Sequence, residues 1–544
     1  MRRLLHAAIP AFLTVLSACA QGASQASDPA PAAADPAAAD AWWGHVTALA
    51  HDSMRGRQAA SPEHRKAADY VAGAFARAGL EPGGSEGFLQ PVRFLRRRVL
   101  EERSSLALVR DGAAEPLEFG TEATISLRSS RSGSVDAPLV FVGYAMRAPE
   151  RGIDDFAGVD LRGKMAVIMA GAAPQGMSGP ELAAARGAGT SALLGSGAVG
   201  VVSIVSPRSD LPWIRYAASR LQPQMRLADA DPGRGGPSLI SVAVNPERAE
   251  RLFQGASRSY AELLALADSG APLPGFALPA SLRATVAVEE SDAVSHNVVG
   301  LLPGADPALR GEYVVLTAHL DHLGVSEPVE GDSIFNGAMD NASGVATLIE
   351  TARLVAARAE RPKRSVAFVA VTAEEHGLLG SDAFAANPPL QGGTLVANLN
   401  TDMYLPINPL RKLLVNGLEE SDLADDVRRA AARAGVEVVT DPEPERNAFV
   451  RSDQFSFIRR GIPALSLKVG FALGTPEHER VLEWRRERYH GVKDEVTQPV
   501  DHRAAADFNR LYAELVTEVA NRPTRPAWYP TSAFRPKEAG AASH

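Results

Sequence analysis

Tyr313-Val314-Val315-Leu316-Thr317 is an unbroken apolar run that leads into His319-Leu320-Asp321. A short apolar run without alternation reads as a strand buried on both faces. Downstream, Val345 to Ala359 places Leu348, Ile349, Ala352 and Val355 at helical spacing on one face. Val366 to Val371, Leu395 to Leu399 and Ala464 to Val469 are further runs of buried-strand type. Strands alternating with helices predict an α/β fold, with a mixed, largely parallel sheet sandwiched by helices. In such sheets ligands bind beyond the carboxyl ends of the strands. The residues that follow each run are therefore the candidates for chemistry.

The chain has 544 residues, too many for one core of ordinary size, so a second folded unit or a large insertion is expected. Between 101 and 294 the pattern changes to short β-like runs such as Leu139 to Val142, Met165 to Met169 and Val199 to Val205, with a helix-prone stretch from Glu181 to Leu194. This reads as an inserted β-rich domain without a catalytic cluster of its own, serving as lid or spacer. Residues 41–100 and 295–521 then form one catalytic domain, and 522–544 a C-terminal tail. Within the first part, Glu63 to Leu80 has helical spacing, ended by Gly79 and Pro82-Gly83-Gly84.

Met1-Arg2-Arg3 precedes an apolar stretch from Leu4 to Leu16, too short for a comfortable membrane span and right for a secretory signal. It closes on Leu16-Ser17-Ala18-Cys19, which resembles the lipobox of bacterial lipoproteins. Cys19, at the end of the lipoprotein-type signal of residues 1–19, is the only cysteine, so no internal disulfide can form, and the expected use of that thiol is lipidation as the new N-terminus. Residues 20–40 are almost all Ala, Pro, Asp, Ser and Gln and read as a disordered tether. The protein is expected to be exported and held at a bacterial cell envelope by this anchor, or secreted. The formal net charge of −8 becomes −10 once Arg2 and Arg3 leave with the signal, so no basic field exists to hold nucleic acid.

The candidate chemistry sits at the strand ends. His319 ends the first run, and Asp321 is placed to accept its second ring N–H. Asp340, in Met339-Asp340-Asn341-Ala342-Ser343-Gly344, lies on the loop feeding the helix from Val345; Ser343 is the better-placed helix cap, which frees Asp340. Glu374 and Glu375 follow Val371, and adjacent side chains there point different ways, so one can bind metal while its neighbour faces the reacting water. Asp402 follows the run Leu395 to Leu399, and His490 comes from the late loop Tyr489 to Asp494. Imidazole and carboxylate without thiolate suit catalytic zinc, and a bridging carboxylate would give each of two zinc ions three protein ligands and an open position.

Taken in order, these residues resemble the co-catalytic dizinc exopeptidases, a family that includes bacterial leucyl aminopeptidases, glutamate carboxypeptidases, glutaminyl cyclases and the transferrin receptor ectodomain. The resemblance implies the zinc exopeptidase fold, with His319 and Glu375 on one zinc, Asp402 and His490 on the other, and Asp340 bridging. It implies Glu374 as general base and Tyr489 as a residue that steadies the oxyanion. Asp52-Ser53-Met54-Arg55-Gly56-Arg57 is similar to the family's N-terminal motif. Arg451-Ser452-Asp453-Gln454-Phe455 is similar to its substrate loop, although Gln454 stands where many members have His. Arg162 to Ile168 and Gly197 to Val202 are similar to the protease-associated domain that some members carry as an insertion.

The expected function is hydrolysis of N-terminal residues from peptides. A glutamate-type carboxypeptidase, with Arg451 available for a substrate carboxylate, and a one-metal glutaminyl cyclase stand as alternatives, as does a non-catalytic binding protein on the same fold. The complete set of ligands and base weighs against the last.

Overall fold

The computed structural model describes residues 36–536 except 128–131, 172, 175, 178, 208–210, 230–238 and 391. Residues 1–19 with Cys19, and the tether as far as residue 35, lie outside the described residues. Helix Pro36–Leu49 begins within the stretch read as tether. Its Trp42, Val46 and Leu49 are fully buried, so this short piece has the apolar face that the residues before it lack.

Ten strands form the larger sheet, in the order Gln224–Leu227, Leu89–Val99, Val288–Leu302, Ser365–Val371, Glu312–His319, Thr394–Asn400, Ala464–Val469, Lys412–Asn416, Glu437–Val439, with Glu81–Pro82 paired to Val288–Leu302. The four strands from Ser365–Val371 to Ala464–Val469 are parallel neighbours. Antiparallel pairs flank them on both sides, so the sheet is mixed with a parallel centre. The expected runs fall on these strands, and the alternation of side chains between two buried faces explains why Val314–Leu316 and Val366–Val371 are unbroken. Val314, Leu316, Val366, Phe368 and Ala370 pack on one face with helices Pro36–Leu49, Pro62–Arg77, Ser343–Ala356 and His502–Asn521. Val315, Ala367, Val369 and Val371 pack on the other with Phe384 and Phe457 of helices Leu379–Ala386 and Gln454–Ile458. Each face buries its own set of side chains, worth about 1.5–3 kcal/mol for each large one.

The helix read from Glu63 to Leu80 spans Pro62–Arg77. Gly79, at φ +83°, turns the chain out of it, and the Leu80 N–H reaches back to the Phe75 carbonyl at 3.1 Å.

A second sheet of eight strands is built from residues 105–286, in the order Ala113–Pro116, Ser105–Arg110, Phe276–Val286, Gly133–Phe141, Met165–Ala170, Gly200–Val205, Ile240–Val244, Ala123–Ile125. It has its own apolar core around Leu108, Phe141, Val167, Val202, Val242 and Leu282. The long strands Leu89–Val99 and Val288–Leu302 pair antiparallel over eleven residues and carry the chain from one sheet toward the other. One strand of the intervening stretch, Gln224–Leu227, joins the edge of the larger sheet instead.

Candidate metal centre

Three parallel strands deliver their ends to one place. His319 is the last residue of Glu312–His319, Glu374 and Glu375 follow Ser365–Val371, and Asp402 follows Thr394–Asn400. Asp340 enters from the short kinked turn Ala338–Ala342, and His490 from the loop after helix Pro476–Arg488. Together with Tyr489, all of these line one cavity of about 510 Å³.

The contacts group the donors around Asp340. His319 Nε2 lies 3.2 Å from Asp340 Oδ1 and 3.3 Å from Asp402 Oδ1. His490 Nε2 lies 3.2 Å from Asp340 Oδ2 and 3.3 Å from Glu375 Oε2. The expected pairing of His319 with Glu375 and of Asp402 with His490 is therefore corrected. His319 sits with Asp402 and His490 with Glu375, because side-chain direction at the strand ends selects the partner and chain order does not encode it.

Asp321 also takes a different part. The His319 Nδ1–H meets the backbone carbonyl of Asp321 at 3.0 Å, which leaves Nε2 free for a cation. The Asp321 carboxylate instead accepts the amides of Glu374 and Glu375 at 3.0 and 3.4 Å. It fixes the loop that carries both carboxylates and does not line the cavity. Ser343 is not the helix cap. Its hydroxyl donates to the Met339 carbonyl, and Asn341 Oδ1 accepts the Gly344 N–H at 3.0 Å. A Cβ on Gly344 would come within 2.3 Å of that Asn341 oxygen, so the tight approach needs glycine.

Several buried residues that no single sequence signal marked support the donors. Asp494 accepts the amides of Met339 and Asp340 at 2.8 and 3.0 Å and so aims the Asp340 side chain. It lies four residues after His490, in a segment whose histidine drew the attention. His322 Nδ1 is 2.9 Å from Glu375 Oε1 and orients that carboxylate. Arg57, wholly buried, donates to the carbonyls of Leu49, Leu320, Asn336 and Gly337 at 2.6–2.9 Å. This gives the Asp52 to Arg57 motif its purpose, because the one guanidinium ties the His319 segment to the turn before Asp340. Arg215, from helix Trp213–Ala218, donates to the carbonyls of Arg486 and Tyr489 and holds the segment that bears His490.

Gln454 faces away from the chemistry. Its amide donates to the Phe449 carbonyl at 2.8 Å and its oxygen accepts from Asn400, so the departure from His serves the loop's own structure. Arg451, Ser452 and Phe455 of the same loop do line the cavity.

The electrostatics fit a cation. Asp340 Oδ2 is buried and faces His490 Nε2 at 3.2 Å. Burial alone would lower His319 and His490, but the surrounding carboxylates, Glu374 for the first and Glu375 for the second, raise both well above the ordinary imidazole value. Burial pushes Glu374 well above the usual carboxylate range, against the attraction of His319 and with the repulsion of Glu375 and Asp402. Crowded buried carboxylates and imidazoles are what a divalent ion neutralises. Groups of His319, Asp340 and Asp402, and of His319, Glu374 and Glu375, offer donor atoms within 4.8 Å of one another.

The chain is similar to known peptidases. Residues 297–516 match the model of peptidase family M28. Leucine aminopeptidase 1 of Arthroderma otae is 32% identical over 142 residues, 25% of this chain and 36% of the relative. A probable zinc metalloprotease of Pyrenophora teres f. teres is 36% identical over 106 residues, 20% of this chain and 22% of the relative. The chain thus spans about a third or less of the length of these curated relatives. Among solved structures, the aminopeptidase from Aneurinibacillus sp. strain AM-1 superposes with a TM-score of 0.54 at 21% identity, covering 92% of this chain and 98% of that one. BSAP, a zinc aminopeptidase from Bacillus subtilis, gives 0.50 at 20% identity over 88% and 94%. These two share the fold. The resemblance to co-catalytic zinc exopeptidases drawn from the sequence is borne out.

Proposed function

We propose that the chain is a zinc-dependent aminopeptidase that removes N-terminal residues from peptides. The observation that carries this reading is the division of the donors about Asp340, with His319 and Asp402 on its Oδ1 side and His490 and Glu375 on its Oδ2 side. Two zinc ions held by these five residues would polarise the scissile carbonyl and acidify water.

The protein's own groups do the rest. Glu374 takes a proton from the attacking water and delivers it to the leaving amine as the C–N bond breaks. Its backbone is held by Asp321, so the carboxyl keeps its position through the transfer. Tyr489, whose ring stacks on His490 with centroids 4.1 Å apart, lines the cavity and would donate its O–H to the developing oxyanion. The inserted stretch contributes Arg215 as a brace behind this loop rather than a group in the reaction.

Arg451 in the cavity wall favours one second reading, a carboxypeptidase that holds a substrate carboxylate. Mass spectrometry of a mixed peptide library, with and without zinc chelation, separates the two. Ladders shortened from free N-termini and abolished by the chelator are expected. Shortening from C-termini would move the assignment to carboxypeptidase, and an untouched library would leave a cyclase or a binding protein.

Among the described residues no helix is long and apolar enough to cross a membrane. Attachment through acyl chains on Cys19 is part of the proposal. A labelled fatty acid should appear on the mature protein, and an unlabelled mature protein would refute the anchor.

A further inference from the structure

Away from the donors, the cavity runs over two antiparallel strands, Lys412–Asn416 and Ala464–Val469. Leu414 stands opposite Lys468 and Asn416 opposite Ser466, and these four residues line the cavity. Met403, Phe471 and Trp484 add apolar side chains to the lining. Strand Ala464–Val469 also runs parallel to Thr394–Asn400, with Ser466 in register with Asn400. Lys468 lies two residues past Ser466 and Asp402 two residues past Asn400, so the lysine sits beside the metal donors on the next strand.

Two features of this floor point to a ligand. Lys468 is partly buried, and the opposite charges acting on it are those of Asp402 and Asp340, both of them proposed metal donors. Glu443, on the adjoining wall, is taken by Arg485 at 2.7 and 2.9 Å, with Arg446 at 4.0 Å. Asn416 is 97% buried, and its Oδ1 has no partner. With those two carboxylates committed to metal, the lysine has no counter-ion of its own, which is costly, and so is a buried amide left unpaired. Both costs fall if the substrate brings an anion. The amide's two ends are interchangeable by rotation, so Asn416 can present N–H to a carboxylate.

We propose that this pocket receives an acidic side chain at the N-terminal residue to be cleaved, the carboxylate of Glu or Asp pairing with Lys468 and Asn416 while its methylenes lie against Met403, Phe471 and Trp484. The proposal rests on the aminopeptidase reading and names the substrate class of that site. An aliphatic residue would leave the ammonium and the amide unpaired. A Gln or Asn side chain would satisfy the amide but leave the charge uncompensated.

The test is kcat/KM for aminoacyl amides of Glu, Asp, Gln, Leu and Lys, with calorimetric binding of L-glutamate and L-glutamine to the same full-length protein. Glu and Asp should exceed Gln and Leu by about tenfold or more, the scale of a charge-assisted hydrogen bond. Lys468→Met should lower the Glu-to-Gln ratio by about 10- to 100-fold, and Lys468→Arg should preserve most of it. Because each variant is read as a ratio within one protein, a loss of folded material does not imitate the result. Hydrolysis with Leu or Gln equal to or above Glu, or a ratio unmoved by Lys468→Met, overturns the acidic preference and leaves the aminopeptidase reading intact. If no amide is hydrolysed, the aminopeptidase reading fails and calorimetry decides the pocket. Glutamate bound tenfold tighter than glutamine, and weakened in Lys468→Met, supports it; equal or absent binding refutes it.

Discussion

Replacing Glu374 with Ala is expected to lower turnover about 10²- to 10⁴-fold, the contribution of a positioned general base, while both metal ions stay bound. Glu374 is the one carboxylate of the cluster with no ion pair to an imidazole among the described residues, whereas Asp340, Glu375 and Asp402 each have at least one. Removing it therefore leaves the remaining donors paired. Its amide remains tied to the Asp321 carboxylate, so the loop should hold its shape. Burial and the nearby Glu375 and Asp402 charges make the carboxyl ready to hold a proton, against the pull of His319. An amide of the same size cannot take that proton, so Glu374→Gln should be as slow as Glu374→Ala. Metal content by mass spectrometry together with kcat makes the check. Activity within a fewfold of normal would remove Glu374 from the reaction. Loss of a metal ion would instead make it a ligand, as the 4.8 Å grouping with His319 and Glu375 permits.

Asp340→Ala should release both metals and abolish activity with them. In the proposed site this one side chain would serve two metals through its two oxygens, so its loss would take a donor from each at once and leave two protein ligands where catalytic zinc sites use three. Affinity should fall by more than the roughly 10- to 100-fold that follows loss of an outer partner alone. The backbone at 339 and 340 would still be held by Asp494, so the chain should fold. Thermal unfolding with and without chelator is the measurement, because a bound ion stabilises the folded state by mass action. The wild-type chain should lose stability when chelated and the variant should show no difference. A variant that still holds two zinc ions would rule out the bridge.

The α/β alternation and most site residues were legible because parallel strands write unbroken apolar runs and put chemistry at their carboxyl ends. Val314 to Thr317 and Val366 to Val371 are such runs, and the His, Glu and Asp beyond them needed no tertiary knowledge to be picked out. Helix Pro36–Leu49 was not legible in its full extent, because its first turn is made of the same Ala, Pro and Asp as the segment before it. Asp494, Arg57 and Arg215 act through backbone carbonyls and amides distant in sequence, and no local pattern records which backbone group a side chain will reach.

Residue order and type alone determined which side chains gather at the strand ends and that they are imidazoles and carboxylates. Only the tertiary structure decided their partners. It set His319 beside Asp402 and His490 beside Glu375, turned the Asp321 carboxylate from the histidine to the Glu374 and Glu375 amides, and laid Lys468 and Asn416 on the pocket floor. The reason is physical. Strand periodicity fixes which face a residue takes within its own strand, but the loops and the packing of neighbouring strands fix the last few ångströms between donors, and the pairing depends on those distances.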